Sequence, residues 1–168
     1  MSAVFRRLSD LYARGFSTET PVLFSDYRIQ QGDTFRPAAV LMALTEQVES
    51  PGFLLLHRPS NMRAHPGQIA FPGGKIDPGE GPVDAALREA WEELGIDRQQ
   101  VRIVGAADLY KSGSGYEITP ILATVPHDLP IHPNPTEVAQ WFVAPADFVL
   151  DPANQVERWG EWQGGRRP

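Results

Sequence analysis

The sequence of 168 residues contains no cysteine. It therefore has no disulfide framework, no thiol nucleophile and no thiolate metal site. It also lacks a long apolar run, so no segment resembles a membrane span or the core of a signal peptide. The chain has little positive charge, with a formal net charge of −6, which argues against broad binding to nucleic-acid phosphates. We expect a cytoplasmic protein that binds neither membranes nor nucleic acids.

The overall amino-acid composition is typical of a globular domain. Hydrophobic residues make up 42% of the chain and charged residues 21%. A chain of this length can bury a sizeable core as one domain. We expect a single domain over residues 1–168, with an N-terminal helix in residues 1–15 and a C-terminal tail in residues 151–168 as extensions. The protein is expected to be a monomer or a homodimer.

Apolar runs of strand length lie on both sides of one central helical segment. Residues 38–45 and 53–57 flank the turn signal Ser50-Pro51-Gly52 and predict a β-hairpin. Further strands are predicted at residues 69–71, 101–110, 116–125 and 138–143. The glycine-rich residues 111–115 and the proline-rich residues 126–135 predict loops, and residues 4–13 and 145–150 predict short helices. Mixed strands around helices indicate an α/β sandwich.

The central segment, residues 74–96, predicts one helix with well-marked ends. Pro82 suits the first helical position, where its missing N–H is not needed, and Gly95 suits a left-handed C-terminal cap. Apolar residues recur between them at spacings of three and four, and they form one stripe that can pack on a core. That stripe consists of Val83, Ala86, Leu87, Ala90 and Leu94.

Three carboxylates share a second face of this helix. Glu89, Glu92 and Glu93 stand at positions i, i+3 and i+4, and the run from Glu89 to Leu94 contains no basic residue. Only Arg88 precedes it. Because like charges repel, we expect a positive partner against this face, and clustered oxygen ligands suit Mg²⁺ or Mn²⁺. On spacing alone, an ordinary acidic surface helix is the alternative.

The wider segment matches a longer pattern. This is Gly, five residues, Glu, seven residues, Arg-Glu, an apolar residue, any residue, Glu-Glu, any residue, Gly and an apolar residue. The defined positions are Gly74, Glu80, Arg88, Glu89, Ala90, Glu92, Glu93, Gly95 and Ile96. The pattern resembles the Nudix box of the Nudix hydrolases at every defined position. The resemblance implies an α/β/α sandwich with a mixed β-sheet.

The Nudix resemblance also implies metal-dependent hydrolysis of a nucleoside diphosphate linked to another group. It implies that Glu89, Glu92 and Glu93 bind Mg²⁺ or Mn²⁺, and that Glu89, Glu93 and Arg88 carry catalytic roles. Glu80 is expected in a supporting role, near the metal cluster or paired with Arg88. Such a pair would orient the turn of helix that bears Glu89.

The general base is not fixed by the box. Glu89 is the local candidate, and Glu117 and Glu137 are the distal candidates. Gly73 and Gly74, directly before the helix segment, allow the backbone to bend and to approach phosphate closely.

Residues 54–74, directly upstream of the box, resemble the accessory motif of the coenzyme A diphosphatase branch of the Nudix family. The matched positions are Leu54, Leu55, Arg58, Arg63, His65, Gly67, Gln68, Phe71, Pro72, Gly73 and Gly74. Two positions differ from that motif. Leu56 stands where the branch often has Thr, and Pro59 stands where it often has Ser.

This second resemblance implies a coenzyme A-class substrate, cleaved to 3′,5′-ADP and 4′-phosphopantetheine. Arg58 and Arg63 suit bidentate binding of phosphate, and His65 and Gln68 can donate hydrogen bonds to phosphate or ribose. Pairing of the two arginines with the carboxylates of an acidic protein is the alternative. ADP-ribose, NADH or a nucleoside triphosphate are alternative substrates, and a catalytically silent nucleotide-binding regulator is a different class of function.

Overall fold

The computed structural model describes residues 1–16, 29, 31–60, 67–156, 160–162 and 165–167. Two predicted substrate residues, Arg63 and His65, lie outside these ranges. The described residues contain three α-helices: α1 (Ala3–Phe16), α2 (Pro82–Leu94) and α3 (Ala146–Leu150). The strands are β1 (Arg36–Thr45), β2 (Gly52–His57), β3 (Ile69–Ala70), β4 (Gly73–Lys75), β5 (Arg102–Ala106), β6 (Tyr110–Ser112), β7 (Tyr116–Val125), β8 (Gln140–Pro145), β9 (Gly160–Trp162) and β10 (Gly165–Arg167).

Strands β1 to β8 form one mixed sheet. Its main path runs β3-β2-β1-β7-β5, with β4 paired to β1, β6 to β7 and β8 to β2. The centre is the parallel pair β1–β7, which stays in register from Arg36 opposite Tyr116 to Thr45 opposite Val125. The other pairs in this sheet are antiparallel, and β9 and β10 form a separate hairpin.

Helices cover both faces of the sheet. Alternate residues of β1 and β7 point to one face, where Leu41 and Ile121 are fully buried against the apolar stripe of α2. On the opposite face Val4 of α1 and Ala146 of α3 pack with Leu44 of β1. The architecture is therefore an α/β/α sandwich, and the predicted fold class is confirmed.

Helix α2 has the bounds that the sequence predicted. Pro82 begins it, and Gly95 ends it with φ 68°, in the left-handed region. The N–H of Gly95 donates to the Trp91 carbonyl at 2.8 Å. The following loop docks on this end, because the N–H of His132 donates to the Leu94 carbonyl and that of Asn134 to the Glu93 carbonyl. The loop therefore satisfies terminal carbonyls that the helix itself leaves open.

Two strand predictions need correction. Residues 101–110 form β5 and the start of β6, with a break at residues 107–109. The break lies opposite Pro120 of β7, which has no N–H to donate to a ladder. Residues 138–143 were predicted as a core strand, but β8 begins at Gln140 and lies against the outer edge of β2. Val138 is buried, but it lies in a turn before the strand begins. Its N–H donates to the Asn134 carbonyl.

The other predicted elements are present, with end shifts of one to three residues. The hairpin of β1 and β2 pairs Leu44 with Phe53, and β3 ends at Ala70, one residue before the predicted end. None of the helices in the described ranges is long and apolar enough to cross a bilayer.

Candidate functional site

The site is built where β4 passes between β1 and α2. A Cβ atom at Gly73 would overlap the Ala39 carbonyl and lie 2.7 Å from Cα of Val40. One at Gly74 would lie 2.6 Å from Oε2 of Glu89. Close approach to the backbone of β1 therefore requires glycine at position 73, and Gly74 lets the backbone of β4 lie against the Glu89 side chain.

Glu93 is the most enclosed acid of this site. It is only 3% exposed, although its spacing in the sequence placed it on a face away from the apolar stripe. Its Oε2 accepts a hydrogen bond of 2.9 Å from the Gly73 N–H, and its Oε1 lies 3.8 Å from Nη1 of Arg58. Burial raises the pKa of Glu93 to about 7, with a smaller contribution from the charge of Glu89. The Gly73 hydrogen bond and the Arg58 charge oppose that rise.

Arg88 connects the loop before the helix to the acidic face. Its Nε and Nη2 donate to the two carboxylate oxygens of Glu80 at 3.0 and 3.1 Å, and Nη2 also donates to the Lys75 carbonyl at 2.9 Å. Its Nη1 donates to Glu89 Oε1 at 2.9 Å and to Glu92 Oε2 at 3.2 Å. Glu80 is thus paired with Arg88, one of the two arrangements expected for it. The hydrogen bonds that Arg88 donates to Glu80 are the main cause of the raised pKa of Arg88.

The two distal base candidates have different surroundings. The negative charge of Glu137 contributes to the raised pKa of both Glu89 and Glu93, although burial is the larger cause for each. Glu137 follows the turn at Asn134, whose N–H is anchored on the Glu93 carbonyl at 2.9 Å. Glu117 instead lies 3.6 Å from Nζ of Lys111. Sequence spacing carries no signal for this difference, which depends on how the loop docks.

Arg58 and Gln68 lie at the two ends of the segment that contains Arg63 and His65. The N–H of Arg58 donates to the Gln68 carbonyl at 2.9 Å, which closes the segment at its base. The Nε of Arg58 is buried and makes no hydrogen bond within the described part of the chain. The guanidinium of Arg58 lies in the site beside Glu93, whereas Gln68 lies at the exposed surface.

The donor chemistry of the site fits a divalent cation. Carboxylate oxygens are hard ligands, and five carboxylates surround two guanidinium groups here. The acids are Asp77, Glu80, Glu89, Glu92 and Glu93, and the bases are Arg58 and Arg88. Over the described ranges, no three acidic or histidine side chains form a ready-made ion-binding group. Glu89 and Glu92 face Arg88, whereas Glu93 faces Gly73.

Replacing Gly74 by Ala tests whether the close approach matters. The new Cβ would push the Glu89 carboxylate away, but a side-chain end moves at little cost to stability. We expect Gly74→Ala to weaken Mn²⁺ binding by about tenfold, measured by calorimetry, with the melting temperature nearly unchanged. Gly15→Ala, which meets open space, is the control. Equal Mn²⁺ affinity in both variants would contradict the need for glycine at position 74.

Glu93 should make the metal-free protein sensitive to pH. Its folded pKa of about 7 lies above its ordinary value of 4.5, so its stabilising contribution is complete below pH 4.5. That contribution is lost as the pH rises through 7, because the folded state must then bury a charge. In chelator, the free energy of unfolding relative to Glu93→Gln should fall by up to about 3 kcal/mol between pH 4.5 and 8. Urea unfolding at several pH values measures this, and a flat difference would show that Glu93 is not buried as described.

Comparison with known proteins agrees with this fold. The family model described as the NUDIX domain matches residues 34–161. The chain is 45% identical over 116 residues to an uncharacterized Nudix hydrolase NudL from Enterobacter sp. strain 638, an alignment covering 68% of this chain and 60% of the relative. A protein of the same name from Photorhabdus laumondii is 43% identical over 119 residues, covering 70% and 63%. The chain thus spans about 60% of the length of the curated relatives it matches.

Solved structures share the fold at lower identity. An Ap4A hydrolase of C. elegans in a binary complex aligns with a TM-score of 0.56 and 24% identity, over 64% of this chain and 79% of the other. The NUDIX domain of Shewanella oneidensis NrtR, complexed with ADP ribose, aligns with a TM-score of 0.52 and 18% identity, over 82% and 85%. At these identities the structures support the architecture alone. Because the family model matches most of the chain, the chain belongs to the Nudix hydrolase family.

Proposed function

We propose that this protein is a cytoplasmic diphosphatase that uses Mg²⁺ or Mn²⁺ to hydrolyse coenzyme A or its derivatives. The products would be 3′,5′-ADP and 4′-phosphopantetheine. The observation that carries the proposal is the meeting of the acidic face of α2 with the Gly73-Gly74 backbone and Arg58 at one point. Nudix hydrolases generally act on nucleoside diphosphate-linked compounds with a divalent metal ion, so the proposal specifies the metal and the substrate.

Each residue of this site has its own role in the proposed reaction. Glu89, Glu92 and Glu93 would hold the cation, which when bound neutralises phosphate charge and lowers the pKa of a bound water. Gly73 fixes the Glu93 carboxylate through its N–H. Arg58 supplies a second positive charge beside Glu93 for the diphosphate oxygens.

Hydrolysis then needs a base and an aligned water, and no protein nucleophile. A water attacks one phosphorus of the diphosphate, the bridging P–O bond breaks, and a nearby carboxylate takes the proton of the water. Glu89 on the acidic face and Glu137, whose charge contributes to the raised pKa of Glu89 and Glu93, are two candidates for that carboxylate. Glu117, which pairs with Lys111 at 3.6 Å, is the third candidate.

The coenzyme A assignment rests on the upstream motif. Arg58 and Gln68 hold the ends of the segment that leads into Gly73, so this segment is tied to the diphosphate site. Because Arg58 lies next to Glu93, we assign it to the diphosphate. We assign Arg63 and His65, which lie within the segment, to the 3′-phosphate and ribose of coenzyme A, which lie beyond the diphosphate.

The activity is tested with a diphosphate panel. The protein would be incubated with Mg²⁺ and coenzyme A, dephospho-coenzyme A, ADP-ribose, NADH or a nucleoside triphosphate, and the products identified by mass. We expect 3′,5′-ADP from coenzyme A, loss of that activity in chelator, and a loss of at least about a hundredfold in kcat for a folded Glu93→Gln variant.

Other results would point to the alternatives. Efficient cleavage of ADP-ribose, NADH or the triphosphate with coenzyme A untouched would mean that the departures at Leu56 and Pro59 changed the substrate. No turnover of any panel member would indicate a silent nucleotide-binding module. Activity that survives chelator would contradict the metal-dependent mechanism.

Two arginine variants separate the diphosphate from the 3′-phosphate. A charge-assisted hydrogen bond contributes about 1.5–3 kcal/mol, so Arg63→Ala should lower kcat/KM for coenzyme A by about ten- to a hundredfold more than for dephospho-coenzyme A. Arg58→Ala should lower kcat/KM for both substrates alike. Thermal unfolding of each variant controls for loss of fold. Equal losses on both substrates for Arg63→Ala would exclude it from the 3′-phosphate.

A further inference from the structure

We propose that His57 is a positioning residue, which holds Arg58 in place for the diphosphate through a side-chain hydrogen bond to the Gly67 carbonyl. The inference rests on the part of the proposed function that assigns Arg58 to the diphosphate, and it adds the residue that fixes this arginine. Arg58 is a matched position of the motif in residues 54–74, whereas His57 is not. The resemblance to the coenzyme A diphosphatase branch therefore assigns no role to His57.

The ring of His57 makes a short contact with the chain that returns to the sheet. Its Nε2 lies 2.8 Å from the carbonyl oxygen of Gly67. Because a carbonyl oxygen only accepts hydrogen bonds, Nε2 must carry a proton and donate it. In the antiparallel pair of β2 and β3, His57 stands opposite Ile69, two residues after Gly67. The ring thus fastens the end of β2 to the returning chain by a bond that is not part of the strand ladder.

His57 acts on Arg58 from the other face of the sheet. Side chains alternate along a strand, so Arg58 shares a face with Leu56, and His57 shares the opposite face with Leu55. Leu56 is fully buried in the core cluster that contains the apolar stripe of α2, whereas Leu55 packs in the cluster of α1 and α3. Arg58 accordingly lies on the α2 side, with Nη1 3.8 Å from Oε1 of Glu93. His57 therefore acts through the backbone and does not touch the diphosphate.

The guanidinium of Arg58 needs such support. Its Nε is buried without a hydrogen-bond partner among the described residues, and its Nη1 lies too far from the carboxylate beside it for a hydrogen bond. The position of the guanidinium therefore depends on where the backbone places residue 58. The Arg58 N–H donates to the Gln68 carbonyl at 2.9 Å, but the bond from the Gly67 N–H to the Pro59 carbonyl is long, at 3.4 Å. The His57 bond is the shorter link to residue 67.

Kinetics with coenzyme A and dephospho-coenzyme A test the inference. His57→Ala should raise KM about three- to tenfold for both substrates, since both carry the diphosphate, and change kcat by less than about twofold. His57→Gln should stay within about twofold of the native protein, because its amide N–H can take the place of Nε2. His57→Asn should behave like His57→Ala, because its amide reaches only to the position of Nδ1.

Coupling to Arg58 separates positioning from general support of the fold. In the Arg58→Ala background, His57→Ala should change kcat/KM by less than about twofold, because the side chain that His57 positions is absent. Mn²⁺ affinity should equal that of the native protein in each His57 variant, since the carboxylates of α2 are unchanged. Thermal unfolding controls for loss of fold. His127→Ala is the matched control, because the His127 ring faces Asp128, with Nδ1 3.9 Å from Oδ1.

A diphosphate that is not hydrolysed gives a readout independent of turnover. Imidodiphosphate in the presence of Mg²⁺ should bind His57→Ala about three- to tenfold more weakly than the native protein in calorimetry. In the Arg58→Ala background, the change at position 57 should have no further effect on this affinity. NMR of the neutral His57 ring should find its proton on Nε2, and a proton on Nδ1 alone would contradict the hydrogen bond.

The outcomes separate this inference from the proposed function. If His57→Ala leaves KM unchanged, or if its loss multiplies with that of Arg58→Ala, His57 does not act through Arg58 and the inference is wrong, while the function stands. A loss confined to coenzyme A would also overturn it, because the diphosphate is common to both substrates. If the native protein hydrolyses no diphosphate but binds imidodiphosphate with the expected coupling, the function fails and the inference stands. If it neither hydrolyses nor binds a diphosphate, both fail.

Discussion

The structure depends on one hydrogen bond between the sheet and the central helix. The Gly73 N–H donates to the Glu93 carboxylate at 2.9 Å, with Glu93 only 3% exposed. A carboxylate buried this far needs a donor, since an unsatisfied buried charge would shift its pKa or disrupt the fold. The bond also joins β4 to α2. Position 73 has no room for a Cβ atom because β1 lies against it, and a Cβ atom at position 74 would meet the Glu89 carboxylate.

Around this bond, the site balances an excess of negative charge. Arg58 enters from the end of β2 to within 3.8 Å of Glu93, and Arg88 reaches Glu80, Glu89 and Glu92 from the first half of α2. The five carboxylates outnumber the two guanidinium groups, so the cluster remains attractive to a further cation. Burial is the main cause of the raised pKa values of Glu89 and Glu93, and neighbouring carboxylates add to the rise.

Local chemistry made much of this predictable from the sequence. Pro82, Gly95 and the apolar stripe fixed the bounds of α2, because helix ends and periodicity depend on neighbouring residues alone. The break at residues 107–109 was not predictable in this way, since it depends on Pro120 in a partner strand. The burial of Glu93 and the approach of Arg58 depend on contacts between distant segments. The periodicity of one helix cannot encode such contacts.

The central claim is that the acidic face of α2 holds a divalent cation next to the Gly73-Gly74 backbone. The most direct measurement is anomalous scattering from crystals soaked in Mn²⁺. We predict a peak about 2.0–2.6 Å from carboxylate oxygens of Glu89 and Glu93, with Glu92 close by. A peak bound elsewhere on the protein, or none at a saturating concentration of Mn²⁺, would contradict the account.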